Sequence, residues 1–168
     1  MLCIKCGKEI NEGSAFCAHC GAKQVVIYKK VFERNGLSEN DFIENINQWF
    51  KLNPKAANVK GRFSTDTSIG LFANKYTLNR FEVEYELFEN NNLNQYALVK
   101  EEKYDLVTKK TADFIDAWKK SHPNAKVVNW QGGTHSRGQV GSHLLGGFGA
   151  ANRLNVYIFF KFPRKNEN

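Results

Sequence analysis

Beyond position 20 the chain has no cysteine, because all four lie among the first 20 of its 168 residues. The remaining residues must therefore hold together without disulfides. About 144 residues suffice for a real apolar core, whereas an isolated segment below about 40 residues usually needs a metal or disulfides. The length suits one ordinary domain plus a small accessory one. No run of 18 apolar residues is present, so no membrane-spanning helix is expected. The opening Met-Leu-Cys-Ile-Lys has no charged stretch followed by an apolar one, so no signal peptide is expected either. The expected location is cytoplasmic, where paired cysteines mean metal more often than disulfide. Several motifs are also missing: the phosphate loop G-x-x-x-x-G-K-S/T, a G-x-G-x-x-G opening a helix, and any known RNA-binding signature.

What the chain does have is charge in blocks. The formal net charge is +7. Residues 82–106 carry seven acids and two lysines, net −5, while residues 107–165 carry ten Lys/Arg and two Asp, net +8. A basic C-terminal third could attract phosphate or acidic partners. The plainer expectation is a solvated surface whose opposite charges pair across neighbouring strands. Lysine outnumbers arginine 18 to 6 and asparagine occurs 19 times, as in AT-rich bacterial coding sequences.

The motif of greatest specificity is at the start. Cys3-Ile-Lys-Cys6-Gly7 and Cys17-Ala-His-Cys20-Gly21 are two copies of C-x-x-C-G, with ten residues between Cys6 and Cys17. Each C-x-x-C can curl so that both sulfurs aim at one point, and the following glycine tolerates a positive φ. Four thiolates close the tetrahedral shell of Zn²⁺ and leave no position for water or substrate, so the expected site is structural. Phe16 is the expected apolar anchor beneath the metal, and His19 is expected to stay exposed and unligated. The pattern C-x-x-C-G, short hairpin, F-C-x-x-C-G resembles the N-terminal zinc-ribbon module of many bacterial proteins over roughly residues 2–22. That resemblance implies one structural Zn²⁺ and often an accessory binding role, and it does not imply an enzyme.

The rest reads as α+β. Strands are predicted at 25–34, 57–65, 76–89, 95–105, 125–131 and 153–162, and helices at 39–52 and 109–121. Ser38 is the predicted N-cap of the first helix with Asp41 three positions on. Phe42, Ile46, Trp49 and Phe50 share its apolar face. Phe81, Val83, Tyr85 and Leu87 alternate with Glu82, Glu84 and Glu86 at the period of a half-buried strand. Asp41-Phe42-Ile43-Glu44 is echoed by Asp113-Phe114-Ile115-Asp116, and Asn53-Pro54-Lys55-Ala56 by His122-Pro123-Asn124-Ala125. The expected organisation is a ribbon at 1–24 and an α+β domain at 25–165. That domain would be a mostly antiparallel sheet with both helices on one face, a βαββ duplication with repeats 25–89 and 95–162.

The last strand is apolar on both sides: Leu154, Val156, Ile158, Phe160 and Phe162 one way, Tyr157 and Phe159 the other with Lys161. Such a strand is central and covered on both faces. If both helices cover one side, the ribbon, a second subunit or a ligand must cover the other, and aromatics left exposed would mark a binding surface. Residues 132–149 hold seven of the thirteen glycines between two predicted strands, with His135, Arg137 and His143 among them and Arg153 just after. Glycine-rich backbone can wrap an anion, although a long hairpin loop is the simpler expectation. His122, before Pro123, is expected to cap its helix.

These features favour a zinc-binding, non-catalytic protein that interacts with a protein partner or with itself. The alternative is a nucleic-acid module using the basic third and the Tyr157/Phe159/Lys161 face. Less favoured are a small-ligand protein or an enzyme with residues 132–149 at its site. Membrane association is not expected.

Overall fold

The computed structural model describes residues 1–69, 74–87, 95–104, 111–136 and 152–162. After the cysteine-rich segment the elements run β1 (Tyr28–Glu33), α1 (Glu39–Leu52), β2 (Ala56–Ile69), β3 (Asn74–Leu87), β4 (Gln95–Tyr104), α2 (Thr111–Ser121), β5 (Lys126–Ser136) and β6 (Asn152–Phe162). The class is α+β, and every strand pairing is antiparallel.

Ser38 starts α1 as its spacing predicts: its Oγ accepts from the Asp41 N–H at 3.2 Å and donates to Asp41 Oδ2 at 2.6 Å. At the other end the Asn53 side chain donates to the Trp49 carbonyl at 2.8 Å, satisfying one of the orphan carbonyls left by a helix terminus. The buried face is Phe42, Ile43, Ile46 and Phe50. Helix α2 ends on His122, whose ring nitrogen lies 3.0 Å from the Trp118 carbonyl while the ring stacks on the indole. His122 thus closes the helix end, as expected.

The strands form two three-stranded sheets rather than one, ordered β1-β3-β2 and β4-β6-β5. The two halves share one topology: strand, helix, strand, strand, with the last strand central and the first beside it. Both second strands also carry a bulge shortly after the matching prolines, between Ala57 and Lys60 and between Val127 and Asn129.

Strand β6 is central and covered on both faces. Helix α2 covers Val156, Ile158 and Phe160 with Ile115 and Trp118. Tyr157 and Phe159 face the opposite way into the main core, beside Phe42, Ile46 and Phe50 of α1 and Phe81 of β3. The helices therefore lie on opposite faces of β6, because α1 is needed to fill the space between the two sheets. Neither Tyr157 nor Phe159 is exposed at all. Burying an aromatic of this size contributes about 1.5–3 kcal/mol, so the first half of the chain, rather than a partner, covers that face.

The sheets approach closely where glycine permits. A Cβ on Gly61 would stand 2.8 Å from atoms of both Phe81 and Phe159, and one on Gly133 would stand 2.5 Å from the Tyr76 ring. Gly132 and Gly133 accordingly belong to β5, which runs on to Ser136 instead of stopping at 131. The outer face of the first sheet bears the expected charge pairing. Glu84 meets Lys29 at 3.2 Å and Arg80 meets Glu33 at 3.6 Å, both across β3 and β1.

Candidate metal centre

The two knuckles at the N-terminus are built alike. In the first, the Gly7 N–H donates to the Cys3 carbonyl at 3.0 Å and the Cys3 N–H to the Lys8 carbonyl at 2.8 Å. Fourteen residues later, Gly21 donates to Cys17 at 2.9 Å and Cys17 to Ala22 at 2.8 Å. Gly7 and Gly21 sit at φ +70° and +66°, the left-handed region that glycine enters without penalty. Short antiparallel bridges, Leu2 with Glu9 and Phe16 with Lys23, close each turn.

This geometry gathers the sulfurs of Cys3, Cys6, Cys17 and Cys20 within 4.8 Å of one another. Cys3 and Cys20 are separated by 3.7 Å between sulfurs, as are Cys6 and Cys17. Four sulfurs at about 2.3 Å from one tetrahedral Zn²⁺ stand about 3.8 Å apart, so the cluster has the dimensions such an ion requires. The distances are far too long for disulfides. His19 is exposed and takes no part in the cluster.

Main-chain dipoles point at the sulfurs. The N–H groups of Lys5 and Cys6 lie 3.4 and 3.5 Å from Cys3 Sγ, and that of His19 lies 3.3 Å from Cys17 Sγ. The Cys6 N–H, with help from Lys5 and against the effect of burial, lowers the Cys3 thiol to about 6. Cys20 goes the other way. The Ala22 N–H lowers it, but burial and the sulfurs of Cys6, Cys17 and Cys3 outweigh that and push it up to about 12. Cys3 and Cys20 therefore do not ionise together unaided. A cation at their centre removes that restriction, and binding it releases protons.

The sequence reading missed one member of the site. Gln24 is almost fully buried. Its Nε2 lies 3.4 Å from Cys3 Sγ and donates to the Ala22 carbonyl at 2.7 Å, while its Oε1 accepts from the Ile4 N–H at 3.1 Å. It ties the second knuckle to the first and orients a ligand sulfur, as groups behind metal ligands commonly do. The available signal was positional: the fourteen-residue offset relating Cys3 to Cys17 also relates Ile10 to Gln24. Phe16 is corrected too. It is 59 % exposed, and Ile10, 8 % exposed, packs with Cys3 and Cys17 instead. Phe16 is itself a bridge residue, paired with Lys23, and its ring stays in solvent. Leu2 and Ile4 are also exposed, at 66 % and 68 %.

Of the other candidate residues, the structure describes the side chains of Tyr157, Phe159 and Lys161. Tyr157 and Phe159 are core residues, and Lys161 is half-buried on the same strand. His135 and Arg153 are main-chain partners at the end of the β5–β6 ladder. Their side chains, together with Arg137, His143 and the rest of residues 137–151, lie outside the described residues. Tyr157 has a different role. Its hydroxyl donates to Glu39 Oε1, which also accepts from the Leu78 N–H at 2.9 Å, while Lys100 holds Glu39 Oε2 at 2.7 Å. Burial raises the Glu39 carboxyl, but the bonds from Lys100, Tyr157 and Leu78 outweigh it and hold the group below its ordinary range. A cleft of about 370 Å³ opens elsewhere, between α1 and β4, walled by Phe50, Pro54, Tyr96 and Phe162. It contains none of the sequence-predicted residues.

A closed four-sulfur cage on paired knuckles defines a metal-binding ribbon. Residues 2–24 match the family model of the zinc-ribbon domain. No curated protein and no solved structure matches the chain. Among the described residues no helix is long and apolar enough to cross a membrane.

Proposed function

We propose that the chain is a zinc-stabilised, non-catalytic interaction module, in which one structural Zn²⁺ held by Cys3, Cys6, Cys17 and Cys20 presents the ribbon surface to a protein partner. The observation that carries this reading is the exposure of Leu2, Ile4 and Phe16 around a cage whose own interior is filled by sulfur and Ile10. Apolar side chains left exposed on so small a unit suit a contact surface. Tyr157 and Phe159, the aromatics that favoured a sheet-face interface or nucleic-acid stacking, contribute to neither because they are buried. Among the described residues the one cluster of metal-ligating side chains is the cage itself, and a four-thiolate shell leaves a bound ion no open coordination position.

The test compares wild-type chain with a Leu2→Ser/Phe16→Ser variant, both zinc-loaded and immobilised, in capturing proteins from the source cell. Capture that disappears in the variant supports the reading. Failure to capture any protein, together with oligonucleotide binding that weakens steeply with salt, would replace it with the nucleic-acid alternative.

A further inference from the structure

We propose that β1 is a self-association edge, through which two copies of the chain join their first sheets into one six-stranded sheet by antiparallel β1–β1 pairing about Val31. This rests on the interaction-module reading and names one partner, a second copy, at a surface separate from the ribbon.

Strand β1 is the outer strand of the order β1-β3-β2, and among the described residues no strand pairs with its far side. Its register with β3 continues to Arg34, whose N–H donates to the Asn79 carbonyl at 3.0 Å. Because main-chain groups alternate in direction along an antiparallel ladder, Phe32, Lys30 and Tyr28 turn theirs towards β3. Lys29, Val31 and Glu33 turn theirs outward. Val31 is 42 % exposed, an apolar residue at the middle of an open edge.

Short edge strands bearing lysines usually repel such pairing. Here the sequence Tyr28-Lys29-Lys30-Val31-Phe32-Glu33 is self-complementary in a single register. A two-fold axis at Val31 sets Lys29 against Glu33 of the second copy, Val31 against Val31, and Lys30 against Phe32. The outward-facing residues 29, 31 and 33 then meet one another, as a hydrogen-bonded ladder requires. Moving the axis one residue to Lys30 sets Lys30 against itself, and moving it to Phe32 sets Lys30 against Arg34. Both shifts place like charges opposite each other, which destabilises a sheet.

The existing sheet extends the match. Lys60, Glu84 and Lys29 form one row across β2, β3 and β1, and Ser64, Arg80 and Glu33 form another. In the joined sheet the first row of one copy runs into the second row of the other. The charges then alternate +, −, +, −, + from Lys60 through Glu84, Lys29, Glu33 and Arg80. A two-fold contact of this kind uses the same patch on both copies and closes at a dimer.

The experiment is sedimentation velocity on the zinc-loaded full chain over a concentration series, with variants Lys29→Glu and Glu33→Lys and their equimolar mixture. Wild type dimerises. Each variant alone places two like-charge pairs in the contact and weakens dimerisation about tenfold or more. The mixture recovers it, because both pairs are again of opposite sign in the heterodimer; a folding defect would not be rescued by mixing. Wild-type dimers that persist in both variants, or a mixture that stays monomeric, would overturn β1 pairing and leave self-association through another surface. A wild type that is monomeric throughout would also overturn it, while capture through the ribbon is decided separately by the Leu2/Phe16 variant.

Discussion

The side chain of Asn47 hydrogen-bonds both main-chain groups of Leu98: Nδ2 donates to the carbonyl at 3.0 Å, and Oδ1 accepts from the N–H at 2.8 Å. Strand β4 lies at the edge of its sheet, and at Leu98 a helix asparagine takes the place of a neighbouring strand. Together with the Glu39 contacts to Lys100 and Tyr157, this residue joins α1 of the first half to the second sheet. Replacing Asn47 by leucine leaves a buried N–H and C=O without partners, at a cost of about 1–3 kcal/mol for each such group. Urea unfolding should show a markedly lower midpoint with an unchanged slope.

Glu39 gives the fold a dependence on pH of known sign. Its carboxyl is held below the ordinary value of 4.5 by Lys100, Tyr157 and Leu78 against the opposing effect of burial. A depressed acid contributes stability that is full above its unfolded value and is lost as pH falls through the lower, folded one. Glu39→Gln should therefore be less stable than wild type at neutral pH. The gap should narrow as the pH is taken below about 4.5, the unfolded value of a glutamate. Thermal melts of both proteins from neutral to acid pH measure it, and a gap that widens in acid would contradict the assignment.

Gly61 is one of the positions where the two sheets approach closely. Its added Cβ would meet Phe81 and Phe159 at 2.8 Å, and both rings are fully buried and packed against each other. Gly61→Ala should cost about 1–3 kcal/mol through overpacking, readable as a fall in melting temperature. Substitution at Gly36, where a Cβ would meet nothing but φ is +82°, acts through backbone strain instead.

How far these features can be read from residues alone depends on how local their causes are. Helix α1 was legible because its cap, its apolar face and its stop at Asn53-Pro54 are all written within seventeen residues. The cage was legible because two C-x-x-C-G turns at fixed spacing determine where four sulfurs go. The central position of β6 followed from its apolar residues on both faces. What covers Tyr157 and Phe159 did not follow, since the covering residues lie some 80 to 120 positions upstream, in α1 and β3. Gly132 and Gly133 looked like loop because glycine weakens a strand. They are in β5 because Thr111 and the Tyr76 ring occupy the space of their missing side chains. Phe16 was misplaced for a related reason: size alone suggested an anchor, but in a cage this small the sulfurs and Ile10 fill the interior.

Gln24 offers a finer probe of the metal centre than a ligand change. Gln24→Ala keeps all four sulfurs and removes the side-chain contacts to Cys3 and Ile4. Loss of a group behind a ligand typically weakens metal affinity 10–100-fold. Competition with a chromophoric chelator should show that shift without loss of stoichiometry.

The most direct measurement is the metal content of purified, reduced protein, followed by chelation while the main-chain amide signals of residues 1–24 are observed. One zinc per chain in wild type, none in Cys3→Ala or Cys17→Ala, and collapse of the ribbon signals alone on chelation are expected. A metal-free chain whose first 24 residues stay ordered would contradict the metal-held ribbon, and with it the interaction surface proposed on it.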